Sequence, residues 1–314
     1  MFLRTDTTLP PFYVLVYVDD LVFATGDTEA LAHVKSELQT RHTCTDLAGP
    51  SLLLLDILLA VVHSSDYQLL VLSSTFGRVR RAEWPVSRAC GLPMYLMTCT
   101  RPDLAYPLSI LARYVTPGRH RKEHMDAAKR VLRYLCSTSG MGLVLGGWAR
   151  FELIGHADAF WADDLATQRS SQGNTFSLGS DSVSWRSTRS SSVLSSSCEA
   201  EIYAGAMAAQ ELCWLTYLLT DLGERPRSPP VLYIDNKAMI ALCQEHRLEQ
   251  RTKHIALRYF LARELQQCGQ VRLAYVATRA NTADVFTKAL QPCDYQRFCT
   301  VLGLVPTVPH LLNS

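Results

Sequence analysis

From residue 150 onward the chain alternates short β-branched runs with capped amphipathic stretches, and their order restricts the fold more than any other feature. Phe151 to Ala159 reads as a strand, and Asn174 to Gly179 with Ser182 to Ser187 as a hairpin. A long helix is expected from Cys198 to Leu222, with Ser196 as N-cap, Glu199 as capping-box partner and Gly223 ending it. Val231 to Asp235 is a strand leading straight into a helix through Gln244. His254 to Cys268 is a helix closed by Gly269, Val271 to Val276 is a strand, and Asn281 caps a last helix, Thr282 to Leu290. Strand, hairpin, helix, strand, two helices, strand, helix is the order of an α/β layer architecture.

The first half is less regular. Tyr13 to Val18 and Leu21 to Ala24 flank Asp19 and Asp20, which predicts a hairpin with carboxylates at its tip. Glu29 to Thr40 places Leu31, Val34 and Leu38 on one helical face. Residues 41 to 92, with an apolar run from Ser51 to Val62, show no clear period and receive no element. Pro107 to Tyr114 and Glu123 to Leu135 read as helices, and Gly140, Gly142, Gly146 and Gly147 set a domain boundary near residue 148.

Thirty-one Lys and Arg against 29 Asp and Glu leave a formal charge of +2, so a nucleic-acid partner has to be argued from local clusters. Arg119, Arg121 and Lys122, then Lys129, Arg130 and Arg133, then Arg186 and Arg189 are such clusters. Trp161, Trp185 and Trp214 are expected to pack in or near the core. The ten cysteines are scattered without C-x-x-C spacing, which argues against zinc and disulfides and for a reducing intracellular compartment, cytoplasmic or nuclear. The apolar run before Asp19 is cut short by it, and Leu52 to Val62 contains Asp56 and is too short to span a bilayer, so no membrane partner is expected.

Four acids fall where this layout lets them meet. Asp158 lies near the end of the first strand and Asp235 ends another; Glu201 and Asp284 are expected in the first turns of two helices. Carboxylates so placed repel unless a cation neutralises them, and hard oxygen donors select Mg²⁺ or Mn²⁺. Two such ions suit in-line attack of water on a phosphodiester. Each acid taken alone is equally consistent with a cap, a turn or a solvated surface.

The strings around these acids carry a resemblance. Gly155-His156-Ala157-Asp158-Ala159, Ser195-Ser196-Ser197-Cys198-Glu199-Ala200-Glu201, Tyr233-Ile234-Asp235-Asn236, Arg251-Thr252-Lys253-His254-Ile255 and Ala283-Asp284-Val285-Phe286-Thr287-Lys288 occur in this order. So do Tyr17-Val18-Asp19-Asp20, Thr100 to Tyr106 and Lys129 to Leu135 upstream. Together they resemble the Pol polyproteins of copia-type LTR retrotransposons. The resemblance implies a ribonuclease H-like mixed sheet flanked by helices over 149–290, preceded by a truncated reverse-transcriptase palm remnant (1–76) and a connection region (77–148), and followed by a C-terminal tail (291–314).

It further implies that Asp158, Glu201, Asp235 and Asp284 are catalytic ligands of two Mg²⁺ or Mn²⁺ ions, with Glu199 a capping residue. The substrate would be the RNA strand of an RNA–DNA hybrid, told from DNA by its 2′-hydroxyl. Arg186, Arg189, Asn236, Arg251, Lys253 and His254 are candidate nucleic-acid contacts, and other Pol-derived polypeptides are candidate partners. Phe160, Asn174, Ile202 and Ala277 depart from residues common in the family, and residues 277 to 283 hold no histidine, so His254 is not assigned a catalytic role. Asp19 and Asp20 are the remnant of a polymerase motif; with 18 residues before them, no independent polymerase activity is expected. The path from Thr43 to Met94 departs from the family and points to a decayed copy or a faulty gene prediction. Two alternatives therefore stand beside the nuclease: a polymerase fragment inactive on its own, and a non-enzymatic nucleic-acid-binding relic.

Overall fold

The computed structural model describes residues 2–3, 12–17, 20–25, 28–41, 69–72, 86–116, 121–145, 152–244 and 256–306. A small antiparallel sheet comprises β1 (Phe2–Leu3), β2 (Phe12–Tyr17) and β3 (Asp20–Thr25), with Tyr17 opposite Asp20, as expected of a tight hairpin. Asp19 lies outside the described residues. Helix α1 (Thr28–Arg41) follows.

Where the sequence yields no period, the chain still forms β4 (Leu69–Leu72) and α2 (Val86–Cys99), the latter with Pro93 inside it. A 3-10 turn (Pro102–Leu104) then leads into α3 (Ala105–Ala112), α4 (Lys122–Ser137) and β5 (Met141–Leu145). Cys90, Leu96, Leu104, Leu108, Leu111, Ala128, Val131 and Leu135 bury one another between these helices. The strongly two-faced α4 supplies Ala128, Val131 and Leu135 at helical spacing.

The main sheet is five-stranded, in the order β10-β9-β6-β7-β8. Its strands are β6 (Leu153–Asp164), β7 (Arg169–Leu178), β8 (Asp181–Val193), β9 (Val231–Ile234) and β10 (Arg272–Tyr275). β9 runs parallel to both β6 and β10, whereas β6, β7 and β8 pair antiparallel, so the sheet is mixed, as expected. Helix α5 (Ser197–Asp221) lies across β6, with α6 (Lys237–Gln244) and α7 (Ala256–Gln267) beside it. Its buried Ala200, Ala204, Ala208 and Ala209 let it approach the strands closely, and Leu212, Leu215 and Leu219 fill the core with Phe176, Leu232 and Ile234. No helix among the described residues is long and apolar enough to cross a membrane.

Three details differ from the sequence reading. β6 runs on past Ala159 to Asp164 through an irregularity between Phe160 and Asp164, where Ala162 takes φ +50°. The last predicted helix, Thr282 to Leu290, is instead a buried 3-10 turn, Thr282–Phe286. The segment after 290 forms α8 (Pro292–Val301) and β11 (Leu304–Pro306), and β11 pairs with β5, Leu304 opposite Leu143. Ala105, Leu143, Leu145, Trp185, Val285, Phe286, Phe298 and Leu302 bury one another, so residues on both sides of positions 148 and 290 share a core. Trp185 is buried there and donates to the Met97 carbonyl oxygen at 2.8 Å, while Trp161 and Trp214 are substantially exposed.

Candidate metal centre

Strand register sets the first two acids side by side. β6 and β9 pair in parallel from Ile154 opposite Val231 to Ala157 opposite Ile234. Asp158 and Asp235 are the next residues on each path, at the carboxyl end of a parallel pair, where α/β sheets carry their sites. The third acid is delivered by the 3-10 turn. Asn281, fully buried, donates from Nδ2 to the Ala157 carbonyl oxygen at 3.0 Å and accepts the Ala283 N–H at Oδ1, 3.2 Å. One amide thus caps the turn and ties it to the residue before Asp158. Ser187 Oγ donates to the Phe286 carbonyl oxygen at 2.6 Å and holds the turn from the β8 side.

Gly173 faces Asp158 across the β6–β7 ladder, and the turn lies directly on its backbone. A Cβ there would stand 2.6 Å from Phe286 Cβ, 2.8 Å from Thr287 Cγ2 and 2.9 Å from the Ala283 oxygen. These are a β-carbon, the γ-methyl of the fully buried Thr287 and a main-chain oxygen, so relief requires moving the turn that carries Asp284. Gly173→Ala is expected to destabilise the fold by about 1–3 kcal/mol through overpacking. It should also weaken Mn²⁺ binding, and urea denaturation with calorimetric titration measures both.

Carboxylate oxygens of Asp158, Asp235 and Asp284 lie within 4.8 Å of one another. Asp158 is 3% and Asp284 5% exposed. Glu201 stands outside this set but adjoins it, and its charge is felt with those of Asp158 and Asp235. It is the fifth residue of α5, just past the first turn expected to carry it, because the helix starts at Ser197. Glu199 takes the capping role: it accepts from Ser195 N and Oγ at 2.5 and 2.6 Å, while Ser196 Oγ accepts the Glu199 N–H at 3.1 Å. Glu201 itself is 7% exposed, and its buried Oε2 has no hydrogen-bond partner.

Burial, reinforced by Asp158 and Asp235, pushes the Glu201 carboxyl up to about 9. Burial and Asp158 push Asp284 up to about 7, and burial raises Asp158 against the pull of Lys288 and Thr287. Lys288 Nζ sits 2.9 Å from Asp284 Oδ1 and 3.8 Å from Asp158 Oδ2. Thr287 Oγ1 donates to Asp158 Oδ2. Neither Thr287 nor Lys288 stands out in the sequence as a site residue, although Asp284 and Lys288 have the i,i+4 spacing of an ion pair. A hard-oxygen donor set, with like charges crowded together and one buried oxygen unpartnered, fits Mg²⁺ or Mn²⁺.

The candidate nucleic-acid contacts are dispersed. Arg186 is half exposed and lies 3.8 Å from Glu211, whereas Arg189 Nη1 pairs with Asp164 Oδ2 at 2.7 Å. Both line a small groove with Gln172, Asn174, Thr188 and Tyr203. Asn236 Oδ1 accepts the Met239 N–H at 3.0 Å and so caps α6. Arg251, Lys253 and His254 lie outside the described residues, and Asp20 opens β3 in the separate small sheet.

No family model matches the chain. Among known proteins, the Pol polyprotein of transposon RE2 from Arabidopsis thaliana is 31% identical over 327 residues, covering 95% of this chain and 22% of that polyprotein. The Pol polyprotein of transposon TNT 1-94 from Nicotiana tabacum is 30% identical, covering 93% of this chain and 24% of the relative. The chain belongs to the copia-type retrotransposon Pol polyproteins. This Pol chain spans less than a quarter of the length of those two relatives. Among solved structures, LC11-RNase H1 in complex with RNA/DNA hybrid aligns with TM-score 0.34 and 10% identity, over 43% of this chain and 94% of that one. The Pol chain's fold is α/β, with helices packed on a mixed five-stranded sheet.

Proposed function

We propose that this Pol chain is a metal-dependent ribonuclease H that hydrolyses the RNA strand of RNA–DNA hybrids. The observation that carries the reading is the convergence of Asp158, Asp235 and Asp284 oxygens within 4.8 Å, with Glu201 beside them, in a chain of the Pol family. Asp158, Glu201, Asp235 and Asp284 would hold two divalent ions. Those ions, when bound, supply the Lewis acidity that makes a water nucleophilic and offsets charge on the phosphodiester.

The protein's own part is positioning. Asp158 and Asp235 follow the last paired positions of the parallel β6–β9 ladder, and Asn281 fixes the turn that brings Asp284 to them. Water oxygen attacks phosphorus as the P–O3′ bond breaks, leaving a 5′-phosphate and a 3′-hydroxyl. The exposed Arg186 and the polar groove around it lie on the α5 side of β7 and β8, where they can meet phosphates. Other Pol-derived polypeptides are proposed partners, since the relatives the chain matches are Pol polyproteins.

The test is cleavage of a labelled RNA–DNA hybrid by wild type and Asp235→Asn, each with Mg²⁺, with Mn²⁺ and with EDTA. The expected result is metal-dependent cleavage by the wild type, roughly a thousandfold lower in the variant, equivalent to about 4 kcal/mol of transition-state stabilisation. A folded wild type that cleaves nothing rejects the enzyme, and equal activity in the variant rejects the site.

A further inference from the structure

We propose that Lys288 is a built-in counter-cation, whose ammonium keeps a divalent ion's place among the acids in the metal-free protein and must leave for that ion to enter. This rests on the metal centre proposed above and adds a competitor to it. The ammonium lies 2.9 Å from Asp284 and 3.8 Å from Asp158, two of the three acids whose oxygens converge. Among the described residues no other lysine or arginine comes within 4.0 Å of either. Buried negative charge is costly when unpaired, and Lys288 offsets part of it without metal.

The tether explains how one side chain can hold the place and also vacate it. Thr287, the preceding residue, is fully buried and donates to Asp158 Oδ2, with a second contact to the Asp284 carbonyl oxygen at 3.2 Å. The backbone beneath Lys288 is therefore fixed. Its side chain is 28% exposed and borders a groove of about 880 Å³ between α3, α4 and the β6–β7 tip. Rotation about side-chain bonds alone carries the ammonium from the acids into that groove, so the turn bearing Asp284 stays in place. In the metal-loaded state Lys288 stands free beside the centre instead of within it.

Three measurements test this without reference to cleavage. Lys288→Met keeps the stem and removes the charge. Its Mn²⁺ dissociation constant, by calorimetry, is expected to be about tenfold tighter than wild type, because no ammonium has to be displaced. Its melting temperature in EDTA should fall below wild type, and Lys288→Arg should retain the weaker affinity. In the wild type, acetylation of Lys288 read by mass spectrometry should be slow in EDTA and several-fold faster with Mn²⁺, a readout that stands even if the Met variant fails to fold. An unchanged or weaker Mn²⁺ affinity in Lys288→Met, or labelling insensitive to Mn²⁺, overturns the role of Lys288 alone. Absence of Mn²⁺ binding in every variant overturns both this proposal and the metal centre. Tighter binding in the variant with no hybrid cleavage by wild type rejects only the nuclease.

Discussion

Glu201→Gln is expected to stabilise the metal-free protein at alkaline pH while lowering metal-dependent hybrid cleavage roughly a thousandfold, about 4 kcal/mol. The two effects share one cause. Burial, then Asp158 and Asp235, holds the Glu201 carboxyl near 9 in the folded state, against 4.5 for an ordinary glutamate. A group raised on folding contributes stability that is fully present below its unfolded value and lost as pH rises through the folded one. The metal-free wild type should therefore weaken between pH 4.5 and 9.

The window from 6.5 to 8.5 isolates this group best. His156, buried and pushed down to about 4, is neutral in the folded state but half protonated at pH 6.5 when unfolded, so it adds an opposing slope at the lower end, one that wild type and Glu201→Gln share and the comparison cancels. Asp284, near 7, adds a slope of the same sign only at the lower end. One proton of difference corresponds to about 1.4 kcal/mol per pH unit, or roughly 3 kcal/mol across that window. Glutamine imitates the protonated carboxyl and removes most of that slope. It cannot supply the anion that an incoming ion requires, hence the loss of activity. Urea denaturation in EDTA at pH 6.5, 7.5 and 8.5 reads the first effect. Equal slopes in wild type and variant would show that Glu201 is not the buried, protonated group described.

The sequence discloses those elements whose signals are local. Ser196 and Gly223 bracket α5 because an N-cap hydroxyl and a glycine with φ +86° are needed whatever packs on the helix. The periodic α4 and the β2–β3 hairpin are legible for the same reason. Helix α2 is not: it carries Pro93 and has no sharp polar face, and Cys90, Leu96 and Leu104 hold it through contacts that local sequence does not encode. The turn at Thr282–Phe286 reads as a longer helix because Asn281 is a good cap, yet its length is set by packing on Gly173.

The site divides in the same way. Asp158, Glu201, Asp235 and Asp284 are named by the strings around them, and no spacing argument alone would have gathered them. Their convergence depends on the β6–β9 register and on Asn281 reaching back 124 residues to Ala157, both tertiary facts. Lys288 stayed hidden because a lysine four residues after an aspartate ordinarily marks a surface pair. Burial of Asp284 and Asp158 changes what that pair means.

Asp103→Ala should cost about 3–5 kcal/mol of stability. Arg101 is 0% and Asp103 1% exposed, and their ion pair is made through Nε at 2.9 Å and Nη2 at 2.7 Å. The same guanidinium donates to Thr138 O and Oγ1 at 3.2 and 2.8 Å, Tyr134 OH donates to Asp103 Oδ2 at 2.7 Å, and Tyr295 OH donates to the Asp103 carbonyl oxygen at 2.9 Å. The carboxylate thus joins the turn before α3 to α4, and the adjoining carbonyl joins it to α8. Burial, with Asp103 nearby, lifts the Tyr134 hydroxyl well above the ordinary tyrosine value, which keeps it protonated as a donor at neutral pH. Alanine at 103 would leave a buried guanidinium and a phenol without their acceptor. Arg101→Met combined with Asp103→Leu removes both charges and should be less destabilising than Asp103→Ala alone, since the penalty lies in the unpaired ion. Denaturant midpoints of Asp103→Ala and the double variant decide it: a loss under about 1 kcal/mol in Asp103→Ala would mean that apolar packing of α2, α3 and α4, and not this ion pair, holds the segment in place.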